Sequence, residues 1–438
     1  MDEVQAPPEI PPVLQTTESH LCGSAGTGKT CLARAMVEQL PGSVLAATTG
    51  IASVNLGEGT TINALLGYFD TRSLQENHFE GRLSKRLMRL YKAGLRRIIL
   101  DEVSMMDAEQ LTTITQALDD LRGTGYIVDD DYKKTDITEP LALTLVGDFA
   151  QLPPVKAAFA FESPEWHRYA ANTHKLTKIW RQEDEAFISA LQAARRGEAS
   201  PVVDYFGPRL HGSMDMEFEG STILAKNEQV DRFNALRMRR LNAPAHLFPT
   251  LRWGTQRGDW KGIPNALQLK KGALVMVLAN MRDDPPSLTP KLRYANGDLG
   301  HVTHLDADRK EAWVRLVRND AEVSISYVTR PNLRTLDNKR RAELEAEDQE
   351  HLISGRYEII GEVNYLPLRV AYATTVHKSQ GLSLDRVQVN TKDPFFHHPG
   401  LLYVALSRAR TAEGLRLIGS ATGLRRRCTV HPKVAPWV

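Results

Sequence analysis

An α/β protein built on parallel sheets is the fold class this sequence predicts, and three observations predict it. Apolar runs of strand length, Val44–Ala47, Arg97–Leu100 and Leu141–Val146, recur among helical patterns; strands alternating with helices fold as a parallel sheet covered by those helices. A glycine-rich loop, Gly23 to Thr30, stands directly before a helical stretch at residues 31–40. The pattern restarts after about residue 170, with a strand at Thr222–Ala225, a helix at Asn227–Leu241 and strands at Ala273–Ala279 and Leu366–Ala371. A second α/β domain is therefore expected.

In chain order, residues 1–20 form an extended lead-in, because Pro7, Pro8, Pro11 and Pro12 forbid a regular helix. The helix at 31–40 is stopped by Pro41-Gly42. Residues 122–140, with Asp129, Asp130 and Asp131, read as a solvated surface loop. Residues 302–330 are rich in Val, Ile and Thr in short segments, as in a small β module, and the charged stretch 337–350 reads as a helical or loose surface insertion. The chain has 438 residues, which at roughly 150 per domain suggests about three domains. A composition 42% hydrophobic and 25% charged excludes a largely disordered chain, a collagen-like fibre and a small disulfide scaffold. Cys22, Cys31 and Cys428 form no CxxC pair, which argues against a zinc site and for a reducing compartment. No apolar run approaches the roughly 18–20 residues of a membrane helix, so no membrane partner is expected. Residues 1–12 lack the basic start and apolar core of a signal peptide; the protein is expected to stay where it is made.

The chemistry is concentrated in a few motifs. Gly23-Ser-Ala-Gly-Thr-Gly-Lys29-Thr30 matches GxxxxGK[ST] in full. Its glycines let backbone N–H groups curl around phosphate oxygens, and the following helix points its positive end at the same anion. Gly23, Ala25, Gly26, Thr27, Gly28, Lys29 and Thr30 are thus expected around ATP, with Lys29 on the β- and γ-phosphates and Thr30 on Mg²⁺. Ile98-Ile-Leu-Asp101-Glu102 ends an apolar strand in two acids about 70 residues further on. Asp101 is suited to the Mg²⁺ shell and Glu102 to orienting and deprotonating the attacking water, which implies hydrolysis. In Gly147-Asp148-Phe-Ala-Gln151-Leu-Pro-Pro154, Gln151 is placed to sense the γ-phosphate from a strand end; Asp148 either joins it or caps the turn.

Taken together, GSAGTGKT, LDEVSMMD, GDFAQLPPV, LTKIWRQ, VHKSQGLSLD and YVALSRAR, in that order over residues 23–410, resemble superfamily 1 DNA helicases of the Pif-type and RecD-like branch, Dda-like enzymes included. The resemblance implies two RecA-like P-loop domains with parallel sheets. It divides the chain into a lead-in (1–22), a first domain (23–170) with an accessory wedge-type insertion at about 68–95, a second domain (171–301 and 365–438) and an SH3-like β insertion (302–364). Arg181 and Arg408 would reach the γ-phosphate from the second domain, tying hydrolysis to domain closure. Gly381 would lie by the nucleotide, and Gln5 stands at about the distance of the family's adenine-reading glutamine.

The same resemblance assigns Thr48, Thr49, Thr61, Asn63, His377, Lys378, Ser379 and Gln380 to DNA, although the family usually has histidine where Asn63 stands. The formal charge of +2 hides a basic run between residues 81 and 100, comprising Arg82, Lys85, Arg86, Arg89, Lys92, Arg96 and Arg97. It reads either as a solvated helix face or as a phosphate-binding surface. Tyr68, Phe69 and Phe79 flank it as a small core or as stacking residues. The implied activity is ATP-dependent 5′→3′ translocation on single-stranded DNA with duplex unwinding, on forked DNA, by a monomer. It would take place in the cytoplasm or nucleoid of a bacterium or phage host, or in a nucleus or mitochondrion. Replication, recombination and repair all fit. Rival readings are a 3′→5′ or RNA-acting motor, a P-loop ATPase indifferent to nucleic acid, and a non-catalytic binding protein.

Overall fold

The computed structural model describes residues 8–49, 60–128, 134–256, 260, 263–279, 281–282, 292–294, 298–317, 319–336, 338–354 and 357–438. Gln5, residues 50–52 of the Thr48 motif, Gly59 and Asp129 to Asp131 lie outside them. The chain forms two compact units, Met1–Val230 with Thr374–Val438, and Asp231–Ala373.

The first unit holds two sheets. One has six strands, in the spatial order Thr60–Thr61, Ser43–Ala47, Arg97–Asp101, Ala142–Gly147, Glu18–Gly23 and Thr173–Leu176. Every neighbouring pair is parallel. Arg97–Asp101 and Ala142–Gly147 are buried along their whole length, as strands covered on both faces must be. Glu18–Gly23 looks too polar for an inner strand, yet its buried side chains find neighbours in place: Ser19 Oγ lies 2.9 Å from Thr144 Oγ1 and His20 Nδ1 3.3 Å from Thr173 Oγ1. The helix Lys29–Gln39 buries Leu32, Ala33 and Met36 against Leu21, Leu45, Ile99 and Val146, the i, i+1, i+4 face of an amphipathic helix.

Arg97 opens its apolar strand and is itself buried. Its guanidinium donates to the carbonyls of Leu14, Gln15 and Thr16 and to Thr144 Oγ1 at 2.8–3.2 Å. It therefore fastens the proline-rich lead-in, in which Pro12–Gln15 makes a 3₁₀ turn. This residue of the basic run is structural. The accessory region is two helices, Thr71–Phe79 and Arg82–Lys92, joined through Glu80 and Gly81; Leu74, Leu83, Leu87 and Tyr91 point into the core. Tyr68 joins that core, while Phe69 and Phe79 are exposed.

The second sheet has the order Ala373–Thr375, Ser221–Leu224, Val387–Asn390, Leu415–Ile418 and Leu210–His211, and its last three pairings are parallel. The boundary between the two α/β halves departs from the expected residue 170. Thr173–Leu176 pairs with Glu18–Gly23 and closes the first sheet. The helices Glu185–Arg196 and Ala199–Phe206 follow before the second sheet begins. A four-residue polar strand carries no apolar signal, so its register is set by its neighbour.

The second unit is antiparallel β. Leu274–Val277 and Leu368–Val370, expected in the second parallel sheet, instead complete a five-stranded antiparallel sheet with Glu322–Ser326, Glu311–Leu316 and Leu299–Asp306. Burial alternates along Leu299–Asp306, the period-2 pattern of a half-buried strand. A second sheet of Leu251–Gly254, Tyr357–Tyr365 and Val328–Thr335 surrounds Trp260, Val363 and Tyr365. The charged insertion forms the helix Asn338–Ala346. Arg340 from that helix and Arg334 from the sheet grip the buried Glu358 carboxylate at 3.0 and 2.6 Å. The stretch expected as a surface loop at 122–140 holds a hairpin, Tyr126–Val128 with Lys134–Asp136. Among the described residues no helix is long and apolar enough to cross a membrane.

Candidate nucleotide site

The phosphate loop runs from the end of Glu18–Gly23 into the helix at Lys29. Gly26 and Gly28 have φ of 84° and 87°, a left-handed backbone that side chains resist. A Cβ on Gly26 would also sit 2.8 Å from Cβ of Arg181. Lys29 is buried, and its Nζ donates to the carbonyls of Gly23 and Ser24 at 2.9 Å each. Burial pulls its pKa down, against the pull of Asp148, Glu102 and Asp101. The ammonium is folded back on its own loop in the position from which it can swing to an anion.

The acid pair ends the next strand but one. Thr30 Oγ1 donates to Asp101 Oδ2 at 2.9 Å, and Glu102 N–H donates to Asp101 Oδ1 at 2.8 Å. Glu102 has φ of 59°, a left-handed conformation without glycine; such strain, about 1–3 kcal/mol, collects at functional sites. Burial and then the neighbouring Asp101 charge raise the Glu102 pKa, and burial raises that of Asp101. Glu102 Oε2 accepts from Nε2 of Gln380 at 2.8 Å.

Two arginines stand near this acid pair. Arg408, 1% exposed, donates to the Val404 carbonyl, the Leu382 carbonyl and Ser407 Oγ at 2.8–3.1 Å. Burial, with Arg181 beside it, pushes its pKa down to about 9, so it stays charged at neutral pH. Arg181 donates to the Ser407 carbonyl at 2.9 Å. Among the described residues neither arginine has an ion-pair partner. Arg181 lies between Thr173–Leu176, the strand that closes the first sheet, and the helix Glu185–Arg196, and its guanidinium reaches the residue directly before Arg408. Gln151 is buried with its Oε1 unpartnered, as are Oε1 of Gln182 and Gln380. Such orphaned oxygens are unusual in a folded interior, and that of Gln380, beside Glu102, marks a place for water or ligand.

Gln182, Trp180 and Tyr403 of this neighbourhood escaped the sequence reading. Asp148, left between two roles, is paired with Arg195 at 2.9 Å and accepts from the Tyr403 hydroxyl at 3.0 Å. Gln182 Nε2 donates to the Ala409 carbonyl at 2.8 Å. Trp180 is 63% exposed, its backbone N–H donates to the Gly26 carbonyl at 2.8 Å, and Lys178 Nζ lies 3.7 Å from its ring centre. The only signal for Trp180 was an aromatic directly before Arg181; for Tyr403 it was the one hydroxyl in an otherwise apolar helix.

The residues assigned to DNA divide. Thr48 Oγ1 donates to the Glu102 carbonyl at 3.0 Å, tying that loop to the acid pair, and Thr49 follows it. Thr61 caps the helix Ile62–Leu66, and Asn63 Nδ2 donates to the Phe69 carbonyl at 3.2 Å. His377 is half-buried 6.2 Å from the Phe395 ring, and burial lowers its pKa. Lys378 Nζ donates to Asn227 Oδ1 at 3.3 Å. Ser379 and Gln380 depart from expectation. Ser379 is buried with its hydroxyl turned onto the Val376 carbonyl, and Gln380 points at Glu102, because the short helix Val376–Ser379 turns them inward. Gly381, at φ of 79°, makes the turn that follows.

A phosphate loop, a strand-end acid pair and arginines beside it, between two parallel sheets, define a P-loop nucleoside triphosphatase site. The PIF1-like helicase family model matches residues 14–202, and the UvrD-like helicase C-terminal domain model matches residues 370–415. By these matches and by the order of its motifs the chain is similar to Pif1-like helicases of superfamily 1. It is 30% identical over 424 residues to the ATP-dependent DNA helicase PIF1 of Xenopus laevis, covering 93% of this chain and 59% of that protein. It is 29% identical to the Pif1 of Bdellovibrio bacteriovorus, covering 95% of this chain and 88% of that one. The structure of Bacteroides Pif1 bound to single-stranded DNA superimposes with a TM-score of 0.70 at 26% identity, over 97% of this chain and 93% of that one. The Candida albicans Pif1 helicase shares the fold, with a TM-score of 0.74 at 24% identity, over 97% and 95% of the two chains. The chain thus spans 59% of the vertebrate relative's length.

Proposed function

We propose that this protein hydrolyses ATP to step 5′→3′ along single-stranded DNA and displace the paired strand of a fork. One observation carries the reading: Gln380, in the HKSQG loop that family resemblance assigns to DNA, holds the carboxylate of Glu102. A strand that moves this loop moves the group that activates water, which links DNA engagement to hydrolysis.

The residues divide the work as follows. Gly26 and Gly28 shape the cradle, and Lys29 leaves the Gly23 and Ser24 carbonyls for the phosphate chain. Thr30 and Asp101, whose oxygens are 2.9 Å apart, form the hydroxyl–carboxylate pair that would hold Mg²⁺, which takes few protein ligands and keeps phosphate and water oxygens. When bound, Mg²⁺ neutralises charge on the phosphate oxygens. Glu102 takes the proton of the attacking water, its raised pKa making it a stronger base than an ordinary carboxylate. Gln151 orients that water, and Arg408 with Arg181 stabilises the charge spreading over the γ-phosphoryl oxygens. Trp180 offers an exposed ring face on which a flat base can lie. Asn63, Thr49, Thr61, His377 and Lys378 remain the nucleic-acid contacts, and the protein acts as a monomer. Relatives whose structure is described as two coordinating Pif1 helicases on forked DNA make the oligomeric state worth measuring alongside.

The test is strand displacement on duplexes with 5′ or 3′ single-stranded tails, with and without ATP. ATP-dependent displacement of the 5′-tailed substrate alone is expected. Activity confined to the 3′-tailed substrate would reverse the polarity, and ATP turnover unmoved by single-stranded DNA would leave a P-loop ATPase of another kind.

A further inference from the structure

We propose that Tyr403 is a positioning residue for hydrolysis: its hydroxyl locks the helix that carries Arg408 to the phosphate loop, through a buried relay of Ala25, Tyr403, Asp148 and Arg195. The proposal rests on the ATPase reading above and goes beyond it to a residue outside the phosphate, metal and arginine sets.

The direction of the relay follows from valence. Ala25 N–H donates to Tyr403 Oη at 2.7 Å. A peptide N–H can only donate, so the single proton of Tyr403 is left for Asp148, whose Oδ2 lies 3.0 Å away. Asp148 in turn receives Arg195 through Nη2 at 2.9 Å and Nε at 3.2 Å, and Arg195 Nη2 also donates to the Trp437 carbonyl at 2.7 Å. Tyr403, Asp148 and Arg195 are 2%, 1% and 6% exposed. In such surroundings each bond is strong and a missing partner is costly. Burial and the Asp148 charge both hold the phenol protonated.

The relay has a mechanical meaning because of where it sits. Ala25 belongs to the loop whose backbone N–H groups cradle phosphate, and the relay commits one of them, leaving that work to its neighbours. Tyr403 lies in the helix Leu401–Leu406, and the next residues are Ser407, which accepts from both Arg181 and Arg408, and Arg408 itself. At the other end, Gly400 has φ of 82°, and a Cβ there would lie 2.7 Å from the Gln151 carbonyl oxygen and 2.9 Å from that of Ala150. One short helix is thus seated on the Gln151 loop at its start and tied to the phosphate loop at its third residue, and it delivers Arg408 at its end. Without the hydroxyl, the phosphate loop loses its direct tie to the helix that delivers Arg408, and small misplacements are expensive in catalysis.

The experiment uses the full chain with Tyr403→Phe, Asp148→Asn and the double variant. Tyr403→Phe keeps the ring and removes only the hydroxyl. Its DNA-stimulated kcat should fall about tenfold while KM for ATP stays within about threefold, beyond any fall in the thermal midpoint; a merely structural bond would lower the midpoint and leave kcat alone. The double variant should be no slower than the slower single variant, since both break one relay. Hydrogen–deuterium exchange of the loop peptide around Ala25 should accelerate at least tenfold in Tyr403→Phe. Turnover within twofold of wild type, multiplying effects in the double variant, or unchanged exchange overturns the relay. A wild-type protein that turns over no ATP overturns the ATPase reading instead, and the exchange measurement still decides whether Tyr403 holds the loop.

Discussion

The two parallel sheets meet one site with opposite materials. The first supplies backbone shape and carboxylates: left-handed glycines, a folded-back lysine, and Asp101 with Glu102. The second supplies an amide, a phenol and a guanidinium, Gln380, Tyr403 and Arg408, each held by hydrogen bonds to uncharged groups or to the first sheet. One side is built to hold a nucleotide, the other to judge whether it is held correctly. A site divided in this way can bind without turning over.

Variants of the two sides should therefore fail differently. The largest loss is expected for Lys29→Ala, which should abolish both turnover and ATP affinity as read by a fluorescent nucleotide. Arg408→Lys should keep affinity and folding yet lose about 10³-fold or more in kcat, because an ammonium cannot reproduce the planar fork of an arginine acting on a transferring phosphoryl group. An affinity loss equal to the kcat loss would break the division. Glu102→Gln should lose about 10²–10⁴ in turnover, the range for a positioned base, with ATP still bound; normal hydrolysis would remove Glu102 from that role. Gln380→Ala should leave basal turnover nearly intact and shrink its stimulation by single-stranded DNA about tenfold, within the range of ordinary coupling between sites.

Glu102 also links activity to stability through pH. Its folded pKa is raised, so the folded state holds that proton more tightly than the unfolded chain does. Stability from this group is present below the ordinary glutamate value and is lost as pH rises through the raised one. Glu102→Gln should then melt at a higher temperature than wild type at neutral pH, the difference shrinking as pH falls. Wild-type turnover should run the other way, climbing with pH through the same range as the base ionises.

The first side was legible because its ligand is grasped by backbone, which forces contiguous glycines and a fixed lysine, and because a buried parallel strand must be an apolar run that ends abruptly in its acids. The second side was only partly legible. Arg408 and Gln380 stood in recognisable strings, but nothing in YVALSRAR tells which hydroxyl crosses to Ala25, since that bond joins residues 378 positions apart. Arg181 was recognised, but the strand just before it was not, because Thr173–Leu176 has no apolar pattern and its membership in the first sheet is decided by pairing alone. Leu274–Val277 and Leu368–Val370 misled for the converse reason: short apolar strands look alike in parallel and antiparallel sheets, and only the alternation of their neighbours separates them.

The exposed indole of Trp180 makes the molecule its own spectrometer. It stands against the phosphate loop with a lysine ammonium over its face, while Trp166 and Trp260 are buried in cores. Its emission reports an aqueous, cation-shadowed ring, and a base laid on that ring displaces both water and ammonium. Titration with unlabelled nucleotide should be visible in the tryptophan band and silent in Trp180→Phe. Occupancy of the site could then be followed, turnover by turnover, with no dye between the observer and the motor.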